Sequence, residues 1–181
     1  MSGEGPDDSP CYGCDHDMNT KETVPENPPE VLIGQRLTQR SESVATAESC
    51  SGGLIAHRLT NVTGASGYVR GGVVAYSNEA KAALLGVSTD TLAAHGAVSD
   101  PVARELAEGA RTRFEATWGI GVTGIAGPTG GSPEKPVGLV YIAVAGPNGI
   151  EATRHVFEGN RLSVKEQTAD AALRLLLEHL A

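Results

Sequence analysis

Three short stretches of the chain carry residues that could do chemistry together. They are Glu48-Ser49-Cys50-Ser51-Gly52-Gly53, Tyr76-Ser77-Asn78-Glu79-Ala80-Lys81 and Thr123-Gly124-Ile125-Ala126-Gly127-Pro128. Ser49 falls where a β-prone run turns into a helix, and unpaired backbone N–H groups at such a turn can hold a phosphate or a developing oxyanion. The plain alternative is that Ser49 or Ser51 only caps that helix and the glycines only permit a tight turn. Lys81 lies in about the first turn of its helix, where the dipole disfavours an ammonium and lowers the lysine pKa. A lysine that can be neutral is a usable general base, and Ser–Lys is a recognised alternative to Ser–His–Asp. Against that, Glu79 could simply neutralise Lys81 at the surface. Tyr76 could relay a proton or only cover the edge of the core.

The third stretch follows a decoy. Gly119-Ile-Gly121-Val-Thr-Gly124 matches GxGxxG, but a dinucleotide fingerprint needs its glycines after a strand and opening a helix. Here they lie within a strand that leads into a Pro- and Gly-rich loop, so a Rossmann site is rejected. The loop offers instead a row of backbone amides and the hydroxyls of Thr123, Thr129 and Ser132, suited to an anionic group or a ribose. Arg161, at the start of the last helix, is a candidate phosphate clamp, because a cation placed against the dipole needs an anionic partner. Its bland reading is a surface arginine paired to Glu158 or Glu166. His57, His95, His155 and His179 are scattered away from carboxylates and cysteines at ligand spacing, so no metal site is expected. Cys11 and Cys14 form a CYGC pair without a second ligand pair, read as inert or weakly metal-binding.

The elements that must position these residues can be read from pattern. Residues 1 to 28, rich in Gly, Pro, Asp, Asn and Glu, have no apolar period and are expected to be a disordered extension, with one domain over 29–181. Pro28-Pro29-Glu30 opens a helix through Leu37. Ser43 to Glu48 reads as a strand, followed by a helix with Leu54, Ile55 and Leu59. A second strand, Gly71 to Tyr76, precedes a helix with Ala80, Leu84 and Leu85 that Gly86 closes. A short helical stretch surrounds Leu92. Ser99 or Asp100 caps a helix whose Val102, Leu106, Ala110 and Phe114 share one face. Thr117 to Thr123 is the third strand. Residues 137–145 and 150–157 form a hairpin turning at 146–149, and a helix over 162–180 carries Leu173, Leu176, Leu177 and Leu180 on one stripe. Five strands and about five helices in this order predict an α/β fold. We expect a three-layer α/β/α sandwich whose mixed five-stranded sheet is mostly parallel, with one reversed strand near an edge. In such a sheet ligands collect beyond the carboxyl ends of the parallel strands, so the three stretches should face one crevice.

Composition narrows the function classes. The 181 residues suffice for one ordinary domain with a core, and 23 glycines are the compositional anomaly. With 14 Lys and Arg against 22 Asp and Glu, the net charge of −8 argues against nucleic acid or an anionic membrane surface as partner. The sequence shows neither a membrane-spanning run nor a signal peptide, so the expectation is a cytoplasmic protein.

These clusters, in this order, resemble the CinA C-terminal domain family, whose stand-alone members include nicotinamide mononucleotide (NMN) deamidases. The residues that carry the resemblance are Ala47-Glu-Ser-Cys-Ser-Gly-Gly53, Gly72-Val-Val-Ala-Tyr-Ser-Asn-Glu-Ala-Lys81, His95-Gly-Ala-Val-Ser99, Gly124-Ile-Ala-Gly-Pro128 with Gly130-Gly131, Glu134-Lys-Pro-Val-Gly138, and Arg161. The resemblance implies metal-free, cofactor-free hydrolysis of the NMN carboxamide to nicotinate mononucleotide and ammonia. It implies Ser49 as nucleophile, Lys81 as its base, Tyr76 and Thr123 as assisting hydroxyls, and Arg161 as a substrate-contacting or activating cation. Substrate contacts are expected from Ser51, Gly52, Gly53, Asn78 and Gly124 as well, with backbone amides of the Ser-Gly-Gly turn holding the oxyanion. A homodimer is implied too. The acidic CxxC tail matches no family motif. The chain also shows no counterpart of the nucleotide-cofactor-like N-terminal domain of full-length CinA proteins, which favours the stand-alone type. A non-catalytic mononucleotide-binding module, or an amidase for a different amide, are the alternative readings.

Overall fold

The computed structural model describes residues 27–181; Cys11, Cys14 and the expected extension up to residue 26 lie outside the described residues. The elements in chain order are helix α1 (Pro29–Arg40), strand β1 (Val44–Glu48), α2 (Leu54–Thr60), a 3₁₀ turn (Ala65–Gly67), β2 (Val69–Val74), α3 (Asn78–Leu85), α4 (Thr89–His95), α5 (Asp100–Arg113), β3 (Trp118–Gly124), β4 (Leu139–Gly146), β5 (Gly149–Val156) and α6 (Arg161–His179). The sheet runs β2-β1-β3-β4-β5. Strands β1, β2 and β3 are parallel neighbours, β4 alone is reversed, and β4 with β5 forms the hairpin, closed at the Gly146–Gly149 pair. This is the mixed sheet with one reversed strand near an edge that the βα grammar predicts.

The two faces of the sheet differ in side-chain size, and that difference sets the layers. Towards α1, α2 and α6 the strands present Val44, Trp118, Ile120, Val122, Val140, Ile142 and Val144, all packed with Ile33, Leu37, Ile55, Leu59, Leu173 and Leu176. Towards α5 they present Ala45, Ala47, Ala143 and Ala145. Gly119 and Gly121 point the same way, and a Cβ on either would run into the backbone of Ala107. The glycines that mimic a dinucleotide fingerprint therefore serve packing: they let the α5 backbone lie directly on the sheet.

Two boundaries and one cap's hydrogen bonding differ from the sequence reading. Strand β2 ends at Val74, so Tyr76 stands past it, 61% exposed, and does not cover the core edge. Phe114 is the residue closing α5, its ring lying beneath Gly71. Ser99 occupies the N-cap of α5, but its hydroxyl donates to Gly96 O instead of accepting from the helix.

Candidate active site

The carboxyl ends of β1, β2 and β3 meet the loop of residues 125–130 and the start of α6 around one crevice of about 270 Å³. Ser49, Tyr76, Asn78, Lys81, Thr123, Gly124 and Arg161 line it together, with Ala97 and Val98 on one side and Cys50 in the wall. Among the described residues a larger hollow of about 540 Å³, between α3 and α5, is lined by Leu84, Glu105, Glu108, Thr112 and Arg113 and contains neither Ser49 nor Lys81.

Lys81 is brought inward by its helix. Ser77 caps α3, its hydroxyl accepting from Ala80 N, and one turn in from that cap the Lys81 side chain enters the core with 2% of its surface exposed. Its Nζ donates to Ala75 O at 3.0 Å and to Ser49 Oγ at 3.3 Å. Glu79 is exposed and forms no ion pair with it. Burial lowers the Lys81 pKa below the ordinary lysine value of 10.5, a shift that the Glu79 carboxylate opposes. The physical cause is removal of an ammonium from water into a site with few acceptors. The solvated-surface reading of Lys81 is thereby corrected. Ser49 is 8% exposed, at the crevice floor.

Glu48, the last residue of β1, was not singled out from the sequence. Its carboxylate is buried and accepts from Gly53 N at 2.9 Å, Ile55 N at 3.1 Å and Ala56 N at 2.8 Å. The residue at the N-cap of α2 is Gly53, which has no side chain to cap with. Glu48 does that work from the strand, so the orphan amides and positive dipole end of α2 are already neutralised. The signal was present: a helix opening after Gly-Gly with no Ser, Thr, Asp or Asn beside it must find its acceptor elsewhere.

Two amides of the Ser-Gly-Gly turn are thereby engaged within the chain. Gly52 N donates to Ser49 O at 3.1 Å and Gly53 N to Glu48. Ser51 is fully buried, its hydroxyl without a partner among the described residues. None of Ser51, Gly52 and Gly53 lines the crevice. Free donors come from both walls: the N–H of Cys50, next to Ser49, and those of Ala126, Gly127, Thr129 and Gly130 opposite donate to no protein acceptor among the described residues.

Arg161 sits at the mouth. It donates to Gly127 O at 2.9 Å and to the Tyr76 hydroxyl at 2.6 Å, and makes no ion pair with Glu158 or Glu166. Tyr76 is thus tied to the rim cation and does not bridge Ser49 and Lys81. Thr123 donates to Ala97 O at 2.7 Å, which engages its only proton. Cys50 is buried with its thiol pushed up to about 12, chiefly by desolvation, so at neutral pH it lines the wall as an uncharged group. No group of three or more His, Cys, Asp or Glu suited to a metal exists among the described residues.

Residues 26–180 match the model of the CinA C-terminal domain. The chain belongs to the CinA family. It is 57% identical over 148 residues to a CinA-like protein of Anaeromyxobacter sp. (strain K), which covers 82% of this chain and 36% of that protein. It is 49% identical to a CinA-like protein of Prochlorococcus marinus over 93% of this chain and 38% of the relative. The chain thus spans little more than a third of the length of these curated relatives. Among solved structures it superimposes on the competence/damage inducible protein CihA of Agrobacterium tumefaciens, with TM-score 0.78 and 43% identity over 84% of this chain and 96% of that one. It also superimposes on a CinA superfamily protein of Klebsiella pneumoniae, with TM-score 0.81 and 35% identity over 84% and 95% of the two chains. The α/β sandwich is thus the CinA fold.

Proposed function

We propose that this CinA-family chain is a serine amidohydrolase acting on the carboxamide of NMN. The observation that carries the reading is the contact between a buried lysine and a serine hydroxyl at the floor of the crevice. Neutral Lys81 accepts the Ser49 proton as Oγ attacks the carboxamide carbon. The tetrahedral oxyanion collapses to an ester on Ser49, and the lysine proton leaves with ammonia. A water molecule, deprotonated by the same amine, then cleaves the ester to nicotinate mononucleotide and restores Ser49. Splitting one hard step into two is what a covalent intermediate contributes.

The free amide of Cys50 and those of the 126–130 loop are the donors available to the developing oxyanion and the sugar phosphate, and the unused N–H groups of Arg161 suit the phosphate. The reading carries with it the family expectation of a homodimer, which light scattering checks, and of no requirement for cofactor or metal. The test is product analysis. Purified protein with NMN should form nicotinate mononucleotide and ammonia in equal amounts. Saturable NMN binding with no product would replace the enzyme by a binding module, and turnover of other amides in preference to NMN would move the substrate class.

A further inference from the structure

The segment joining α4 to α5 forms one wall of the crevice, and the carbonyl of His95, the last residue of α4, and the three carbonyls after it are each held by a side chain. His95 O and Val98 O both accept from Lys135 Nζ, each at 2.8 Å. Gly96 O accepts from Ser99 Oγ at 2.9 Å, and Ala97 O from Thr123 Oγ1 at 2.7 Å. Lys135 itself projects from a self-bonded turn: Ser132 N donates to Lys135 O at 2.8 Å, while Ser132 Oγ accepts from Lys135 N at 3.1 Å and donates to Glu134 at 2.9 Å. Gly96, at φ 72°, leaves room for the ammonium; a Cβ there would stand 3.2 Å from Nζ.

We propose that Lys135 is a positioning residue that fixes the Ala97–Val98 wall of the crevice by bridging two of its carbonyls, and so sets how tightly a substrate is held against Ser49. The physical reason is that backbone outside helices and sheets has no ladder to hold it, and a charged donor shared by two carbonyls stands in for one. Thr123 supplies the third anchor from β3, which makes it part of the same device and not a proton carrier. The catalytic meaning of this wall rests on the amidase reading above; its mechanical meaning does not.

The experiment compares wild type, Lys135→Met and Lys135→Arg in the full chain. Two readouts are taken: hydrogen exchange of the 96–99 amides, and KM and kcat for NMN. Loss of two charge-assisted bonds should speed exchange in that segment at least ~10-fold in Lys135→Met and raise KM roughly 10-fold, with kcat within about 3-fold of wild type. Lys135→Arg, which can still donate to both carbonyls, should recover most of each. Unchanged exchange in Lys135→Met, or faster exchange with unchanged KM, overturns the proposal. If wild type releases no ammonia from NMN, the amidase reading fails, and exchange alone then decides whether Lys135 holds the wall.

Discussion

At the scale of single residues the account turns on the protonation of Lys81. Its pKa is lowered by burial, so the unfolded chain holds a proton that the folded chain has lost between the folded value and the ordinary one. Stability therefore rises with pH across that window, and falls as pH drops through the folded value because an ammonium must then be buried. Activity should follow the same group. The rate with NMN is expected to rise with pH on a limb that reports Lys81 deprotonating below 10.5. Lys81→Met should abolish that limb and flatten the pH dependence of the thermal midpoint. A midpoint whose pH slope is the same in both proteins would show that Lys81 is not the group involved. Arg161, tied to Tyr76 and Gly127 at the rim, makes a separate prediction. Arg161→Met should raise KM for NMN about 10- to 100-fold while barely changing KM for nicotinamide riboside, which lacks the phosphate. Equal losses on both substrates would remove the phosphate from this position.

At the scale of elements the central object is the β1–α2 junction. Glu48 ends the strand and caps the helix, and Ser49 sits between the two. Ser49, the proposed nucleophile, is therefore fixed by a carboxylate bonded to three amides at the start of the helix that follows. Glu48→Ala leaves those amides buried without an acceptor and should cost about 2–4 kcal/mol of stability, with a drop in kcat as Ser49 loses its frame. Glu48→Gln, which keeps an acceptor oxygen, should recover part of both. Denaturant unfolding and ammonia release on the two variants check this, and full activity in Glu48→Ala would detach Ser49 from the cap. The same geometry means that the Gly53, Ile55 and Ala56 amides at the α2 N-terminus are met from within the chain.

At the scale of the whole molecule, the order of elements and the layers were legible because each helix and strand repeats its apolar signal locally, as along Val164, Leu173 and Leu176 in α6. The convergence of Ser49, Lys81, Thr123 and Arg161 was legible too, since the ends of parallel strands face one way. What was not legible depends on partners distant along the chain. Lys135 bonds carbonyls 40 and 37 positions away, and no local pattern encodes that. The capping of α2 was not legible either, because Glu48 reaches Gly53, Ile55 and Ala56 five to eight positions ahead. The described residues 27–181 bury a hydrophobic core among themselves. Their deletion should leave the thermal midpoint within about 2 °C and the rate unchanged, and a larger loss by calorimetry would assign the tail a part in the domain.

The central claim is that the hydroxyl at position 49 attacks the amide. Its most direct check is the rate of ammonia release from NMN by Ser49→Ala beside wild type, with matched thermal midpoints to show that both are folded. Loss of the nucleophile predicts a fall of at least ~10⁴-fold. Ammonia released by Ser49→Ala at a rate close to that of wild type would contradict the account.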